Sequence, residues 1–305
     1  MPARMSFRTL LVFNLALLAL LILMSRLALV LHEGGGHALP AWAFGAEALH
    51  VRMSPLGGGY VSWKGAVDPS RMAVVKLGGI VLNLLSGAAA WWAARRMKSR
   101  GLAHLALLFF GVGSVGGSIA YLSNGLYYGS GDPTGFAPST LDISGLQPLW
   151  LLGPPLGAAL AWWAARHWSE VLSARVAPAG PAGRWGWTLA TLGLAGLAYG
   201  GLWLLLKEPK IEGSTREWRI EREIAREVER QARTTPAPVV RAEDVVHRVP
   251  SPLGPWVLLL SGLLSGAWSL ARPWRVSTLT ALDSRAVGAL GLGAAATVAL
   301  LKVFG

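Results

Sequence analysis

The 305-residue chain is 53% hydrophobic and only 14% charged, with a mean hydropathy of +0.45. Soluble domains run nearer a quarter charged, so an ordinary soluble enzyme is excluded at the outset. Net charge is +12 and cysteine is absent, which rules out disulfides, thiolate metal sites, a cysteine nucleophile and haem attachment through Cys. Any metal must therefore be held by His, Asp or Glu. The charge is uneven: residues 207–250 hold ten basic and nine acidic side chains, leaving 18 basic and seven acidic elsewhere. That distribution describes a polytopic membrane protein with one charged insert. Arg outnumbers Lys 22 to 6, a weak sign of a GC-rich bacterial genome.

A helix that crosses a bilayer needs about 20 mostly apolar residues. Seven stretches qualify, at 9–31, 73–94, 102–126, 146–165, 185–206, 253–271 and 286–304. The first is expected to persist as a span rather than a cleaved signal, because its apolar run is too long and no small-residue cleavage site precedes His32. Basic residues set orientation. Twelve, among them Arg4, Arg8, Arg95, Arg96, Arg166 and Arg272, flank the spans on the side of the N-terminus, against four (Arg52, Lys64, Arg71 and Lys302) on the other. The N-terminus is therefore expected to be cytoplasmic, in a bacterial inner membrane. The insert reads as an amphipathic helix on the membrane surface or on its own bundle. Ser214 and Glu217 form a capping box, and Ile220, Ile224 and Val228 form one narrow apolar stripe.

The chemistry concentrates directly after the first apolar run, in Leu31-His32-Glu33-Gly34-Gly35-Gly36-His37-Ala38-Leu39. Burying charge beside hydrocarbon costs a few kcal/mol per group, so such a cluster is a functional hypothesis by default. Two imidazoles and a carboxylate are what a zinc site with a general base needs: the metal takes neutral histidines, and the carboxylate accepts a proton from water. The histidines are five residues apart, which leaves them about 140° apart on a straight α-helix, against about 40° at a spacing of four. A π-bulge, which absorbs one extra residue in a turn, would restore a shared face, and three successive glycines permit it. Arg26, within the first run, reads as snorkelling or pairing inside the bundle.

This pattern resembles the site-2 protease family of intramembrane zinc metallopeptidases, whose first core helix carries His-Glu-x-x-His. Three further stretches agree. Ser54-Pro55-Leu56-Gly57-Gly58-Gly59-Tyr60-Val61 is similar to the family's Pro-Leu-Gly-Gly-Tyr-Val loop. Gly79-Ile80-Val81-Leu82-Asn83 resembles its Gly-Pro-x-x-Asn helix, with Ile80 in place of Pro. Asn124 to Asp132 keeps the family's Asn-to-Asp spacing of eight, with Tyr127 in place of the usual Pro and Pro133 where Gly is expected. The resemblance covers about residues 10–145.

The apolar runs give an all-α polytopic membrane protein of about seven transmembrane helices, and the resemblance adds a small β-hairpin loop after the first. Residues 1–145 form the metallopeptidase-like core and 146–206 two further transmembrane helices. They are followed by the charged segment 207–250 and a C-terminal pair of helices in 251–305. His32, His37 and Asp132 would hold Zn²⁺, with Asp142 the rival third ligand, and Glu33 would act as general base. Asn83, Asn124, Gly58 and Gly59 would bind substrate or stabilise the oxyanion. With two spans between them, His37 and Asp132 emerge on the same side of the membrane. The charge count makes that side extracytoplasmic, whereas the family usually opens its site toward the cytoplasm. The expected partners are the lipid bilayer and a membrane-spanning protein substrate cleaved in or near its membrane segment, and not nucleic acid. The alternative is a catalytically inactive relative that binds membrane helices or metal as a regulator.

Overall fold

The leucine-rich N-terminal run has neither Gly nor Pro until Gly34, so every backbone group can be satisfied within one helix, as hydrocarbon demands. The computed structural model describes residues 7–65, 67–97, 101–128, 132, 146–173, 181–206, 224, 253–271 and 284–304. The charged insert apart from Ile224, its capping box and Asp142 lie outside the described residues. Helix α1 (Phe7–Val30) runs through a π-helical segment, Leu31–Ala38, into the short α2 (Leu39–Ala43). A two-stranded antiparallel hairpin follows, β1 (Glu47–Met53) and β2 (Gly59–Lys64). Helices α3 (Pro69–Arg96) and α4 (Leu102–Tyr128) complete the part that carries the motifs. Beyond it come a 3₁₀ turn (Gln147–Leu152), α5 (Gly153–Ser173), α6 (Pro181–Thr188), a second π segment (Leu189–Gly193), α7 (Leu194–Leu206), α8 (Leu253–Ala271) and α9 (Ser284–Phe304).

Six of these helical stretches are long and apolar enough to cross a membrane: Phe7–Ala43, Ser70–Arg96, Leu102–Tyr128, Ala182–Leu206, Leu253–Ala271 and Arg285–Lys302. Of the seven expected, the one at 146–165 is not among these six, which are counted among the described residues. The stretch expected as a span at 146–165 begins instead as the 3₁₀ turn, and α5 carries Arg166, His167 and Glu170, which dilute its apolar run. Helix α1 lies innermost. Phe13, Leu17 and Leu20 are fully buried against Leu105 of α4, Val171 and Leu172 of α5 and Leu270 of α8.

Between membrane helices, hydrophobicity offers no drive, so small residues and interhelical hydrogen bonds hold the contact. Ser261, Ser265 and Ser269 of α8 donate to the carbonyls of Pro154, Ala158 and Trp162 of α5, at 3.1, 2.7 and 2.9 Å. Both series advance four residues in the same direction, so the two helices run parallel. The second π segment frees the Ala190 carbonyl, which accepts from Asn14 Nδ2 at 3.0 Å.

The hairpin turn is folded back into the bundle. Ser54 N–H donates to Gly58 O at 2.9 Å and Gly57 N–H to Ser54 Oγ at 3.1 Å, closing the turn on itself. Its outward carbonyls would be orphaned among helices, and Arg26 supplies their donors. The guanidinium, from a residue only 5% exposed, donates to the carbonyls of Ser54, Gly57 and Leu56 at 2.7, 2.8 and 2.9 Å. Tyr199 of α7 adds its hydroxyl to Leu56 O at 3.1 Å. Arg26 is thus paired inside the bundle with backbone carbonyls. Arg26→Met leaves buried carbonyls without a charged donor, so unfolding stability should fall by about 3 kcal/mol, at roughly 1–3 kcal/mol per orphaned group. Thermal unfolding in detergent, with proteolysis mapped to the 54–58 turn, checks this, and an unchanged midpoint contradicts it.

Candidate metal centre

The chain from Leu31 to Ala38 adopts the π geometry that its histidine spacing calls for, and the Leu39 N–H closes an i→i−5 bond on Gly34 O. One extra residue per turn brings His32 and His37 onto one face, with their rings 4.8 Å apart and nearly perpendicular. The histidines therefore lie on the continuous helical stretch Phe7–Ala43 that contains the first apolar run.

The glycines differ in what requires them. A Cβ on Gly34 would meet nothing within 4 Å and its φ is not positive, so neither close packing nor a left-handed turn demands glycine there. A Cβ on Gly36 would stand 2.2 Å from Gly79 Cα, and one on Gly78 would stand 2.0 Å from the Gly36 carbonyl oxygen. The π segment and α3 touch backbone to backbone. Gly79 also lies under both imidazoles, where a Cβ would come within 2.7 Å of His32 Cε1 and His37 Nε2.

Asp132, just past α4, completes the cluster. Its Oδ2 is 3.3 Å from His32 Nε2 and 3.1 Å from His37 Nε2. The three ligand atoms lie within 4.8 Å of one another, so this group can hold a metal ion. Donors around a tetrahedral ion at about 2.0–2.2 Å stand roughly 3.3–3.6 Å apart, which the two measured separations approach to a few tenths of an ångström. The outer ring nitrogens fit as well. His37 Nδ1–H donates to the Val75 carbonyl, which fixes the tautomer that presents Nε2. His32 Nδ1 is 3.4 Å from Asn83 Nδ2, while Asn83 Oδ1 is buried without a hydrogen-bond partner among the described residues. With a metal on His32 Nε2, Nδ1 would carry the proton, and the amide would turn its oxygen toward it. Burial pushes the Asp132 carboxyl up, but hydrogen bonds from His32 and His37 outweigh that and hold it well below the usual carboxylate range. It is an anion at neutral pH, as a ligand must be.

Glu33 is 5% exposed and lies on the same turn. A Cβ on Gly59 would come within 3.0 Å of Glu33 Cγ and 2.8 Å of Arg52 O, so the start of β2 reaches Glu33 only because it has no side chain there. Two cavities meet at Glu33, Gly59 and Tyr121. The larger, about 550 Å³, adds His32, Gly58 and Asn83 to an apolar wall of Leu21, Met24, Leu29, Phe109 and Trp203. The smaller, about 200 Å³, adds His37, Asp132, Lys76 and the β2 residues Tyr60, Val61 and Trp63.

The structure thus gathers His32, Glu33, His37, Asp132, Gly58, Gly59 and Asn83. Asn124 is the exception: it lines neither of these cavities, and Tyr121, one turn earlier on α4, takes that place. The Tyr121 ring lies edge-on to His32 with centroids 6.0 Å apart, and its hydroxyl accepts from the Asp132 N–H at 3.4 Å. Asn83 stands behind His32 as an orienting group. Sequence reasoning missed Tyr121, although Ser114, Ser118 and Tyr121 fall at helical spacing on one face of α4. Comparison with known proteins finds no matching family, curated protein or solved structure.

The two kinds of glycine separate experimentally. Gly34→Ala should keep stoichiometric metal, because the added methyl meets open space. Gly79→Ala should lower metal occupancy at least tenfold while the helical content is retained, because its methyl displaces both imidazoles. Metal analysis of the two purified variants checks this, and equal occupancy would contradict the packing argument.

Proposed function

We propose that this chain is a divergent relative of the site-2 proteases, hydrolysing a peptide bond in or near the membrane segment of a substrate protein with Zn²⁺ held by His32, His37 and Asp132. One observation carries the reading: five-residue spacing and a π turn converge two imidazoles on an aspartate 95 residues away, with a buried glutamate on the same turn. Two imidazoles and a carboxylate suit zinc with an open fourth position. When bound, the ion acts as a Lewis acid that polarises a carbonyl and makes water a stronger acid.

The chain's own groups do the rest. Glu33 takes a proton from the attacking water at its carboxylate and passes it to the leaving amine nitrogen. Val75 and Asn83 hold the imidazole rings in orientation, and Tyr121 braces the backbone of Asp132. Helical peptide bonds are shielded from attack, so the substrate must be extended. In the two-stranded sheet the outer edge of β2 is unpaired among the described residues, and β2 lines the smaller cavity beside Glu33. An extended segment would add to that edge by β-augmentation. The twelve-to-four charge asymmetry supports a bacterial inner-membrane protein with its N-terminus in the cytoplasm.

Glu33→Gln should retain zinc and reduce cleavage of single-span substrates by at least 10²-fold, because the amide keeps the size but accepts no proton. Asp132→Ala should lose zinc itself. Metal analysis beside a cleavage assay reads both. Stoichiometric zinc with cleavage absent or independent of Glu33 would favour a metal-binding regulator.

A further inference from the structure

The smaller cavity contains a charge that hydrolysis does not use. Lys76 sits on α3 within the span Ser70–Arg96 and lines that cavity with Glu33, His37, Tyr121 and Asp132. A cation inside a membrane helix is costly unless something neutralises it, and it marks a functional position by default. Among the described residues no carboxylate lies within ion-pair distance of Lys76. Asp132 is turned to the two histidines instead. Across Glu33 and Gly59 the larger cavity presents an apolar wall. A polypeptide following β2 past Glu33 therefore meets apolar room on one side and, on the other, an ammonium with no carboxylate partner among the described residues. That ammonium offers three donors to a carboxylate, the acceptor-only group that both neutralises it and satisfies it.

We propose that Lys76 forms a carboxylate-binding subsite, so that the cleaved segment has apolar residues on one side of the scissile bond and a carboxylate on the other. This specificity rests on the peptidase reading of the same centre. The carboxylate comes from an acidic side chain at the membrane boundary or from a free C-terminus. The cavity's volume of about 200 Å³ accepts either one with a few waters, at about 30 Å³ per water.

The test uses the full chain in nanodiscs, zinc-loaded and carrying Glu33→Gln so that binding is read without turnover. The probe is a fluorescent leucine-rich peptide of about 25 residues, long enough to span the bilayer. It carries one Glu or one Gln at the boundary and ends in a carboxylate or an amide. A carboxylate-bearing probe should bind about tenfold to a hundredfold tighter than the Gln amide, as expected for a hydrogen-bonded charge. Adding Lys76→Met should abolish the preference, and Lys76→Glu should reverse it toward a matched Lys probe. Loss of affinity on Glu-to-Gln exchange assigns the side chain, and loss on amidation assigns the C-terminus. Equal binding of all four probes, or a preference that survives Lys76→Met, overturns the subsite. Cleavage assays with Glu33 intact separate the two readings. Cleavage indifferent to charge removes the subsite and leaves the peptidase. Lys76-dependent binding without cleavage removes the peptidase and leaves the subsite.

Discussion

The backbone contact between Gly36 and the Gly78-Gly79 pair is the constraint on which the rest of the centre depends. Where two helices meet with no side chain between them, α3 can bring the Val75 carbonyl to His37 and Asn83 to His32. The same contact leaves an extra residue in the first helix nowhere to go except into a wider turn, and that turn puts both imidazoles on one side. Such close approach is the usual way membrane helices associate, since small residues replace the missing hydrophobic drive. Here it also fixes ligand geometry, so packing and chemistry share the same few atoms.

A second device positions the other half of the site. Arg26 and Tyr199 draw the 54–57 turn into the bundle by its carbonyls, and that turn feeds directly into Gly58 and Gly59 at Glu33. A charged residue in a span, ordinarily a penalty, here donates to three backbone carbonyls. The hairpin is thereby a fixed wall of the site rather than a surface loop. Its second strand, whose outer edge is unpaired among the described residues, lines the smaller cavity.

Much of this was legible in the residues. Apolar runs located six helices long and apolar enough to span a membrane, five of them to within a few residues and the first short of its helical end at Ala43, because the length of an apolar run is set by the bilayer. The π turn followed from counting alone, since five-residue spacing and a shared ligand are incompatible with a regular α-helix. The fourth expected span, 146–165, is not among these six helices, because it opens as a 3₁₀ turn up to Gly153 and α5 then runs on into Arg166, His167 and Glu170. Partners across long separations were illegible. Nothing local to Arg26 names the carbonyls some 30 residues away, and the choice between Asn124 and Tyr121 depends on the rotation of α4, which packing sets. Asn83 is expected at the site, but its position behind His32 follows from how α3 packs against the π segment.

X-ray absorption of the zinc-loaded full chain tests the centre most directly, because it reports the ligands of the ion rather than the consequences of binding it. The predicted spectrum has two imidazoles and oxygen donors at about 2.0–2.2 Å, and His37→Ala removes one imidazole contribution from it. A spectrum with a single imidazole, or one that His37→Ala leaves unchanged, would contradict convergence of the two histidines on one ion.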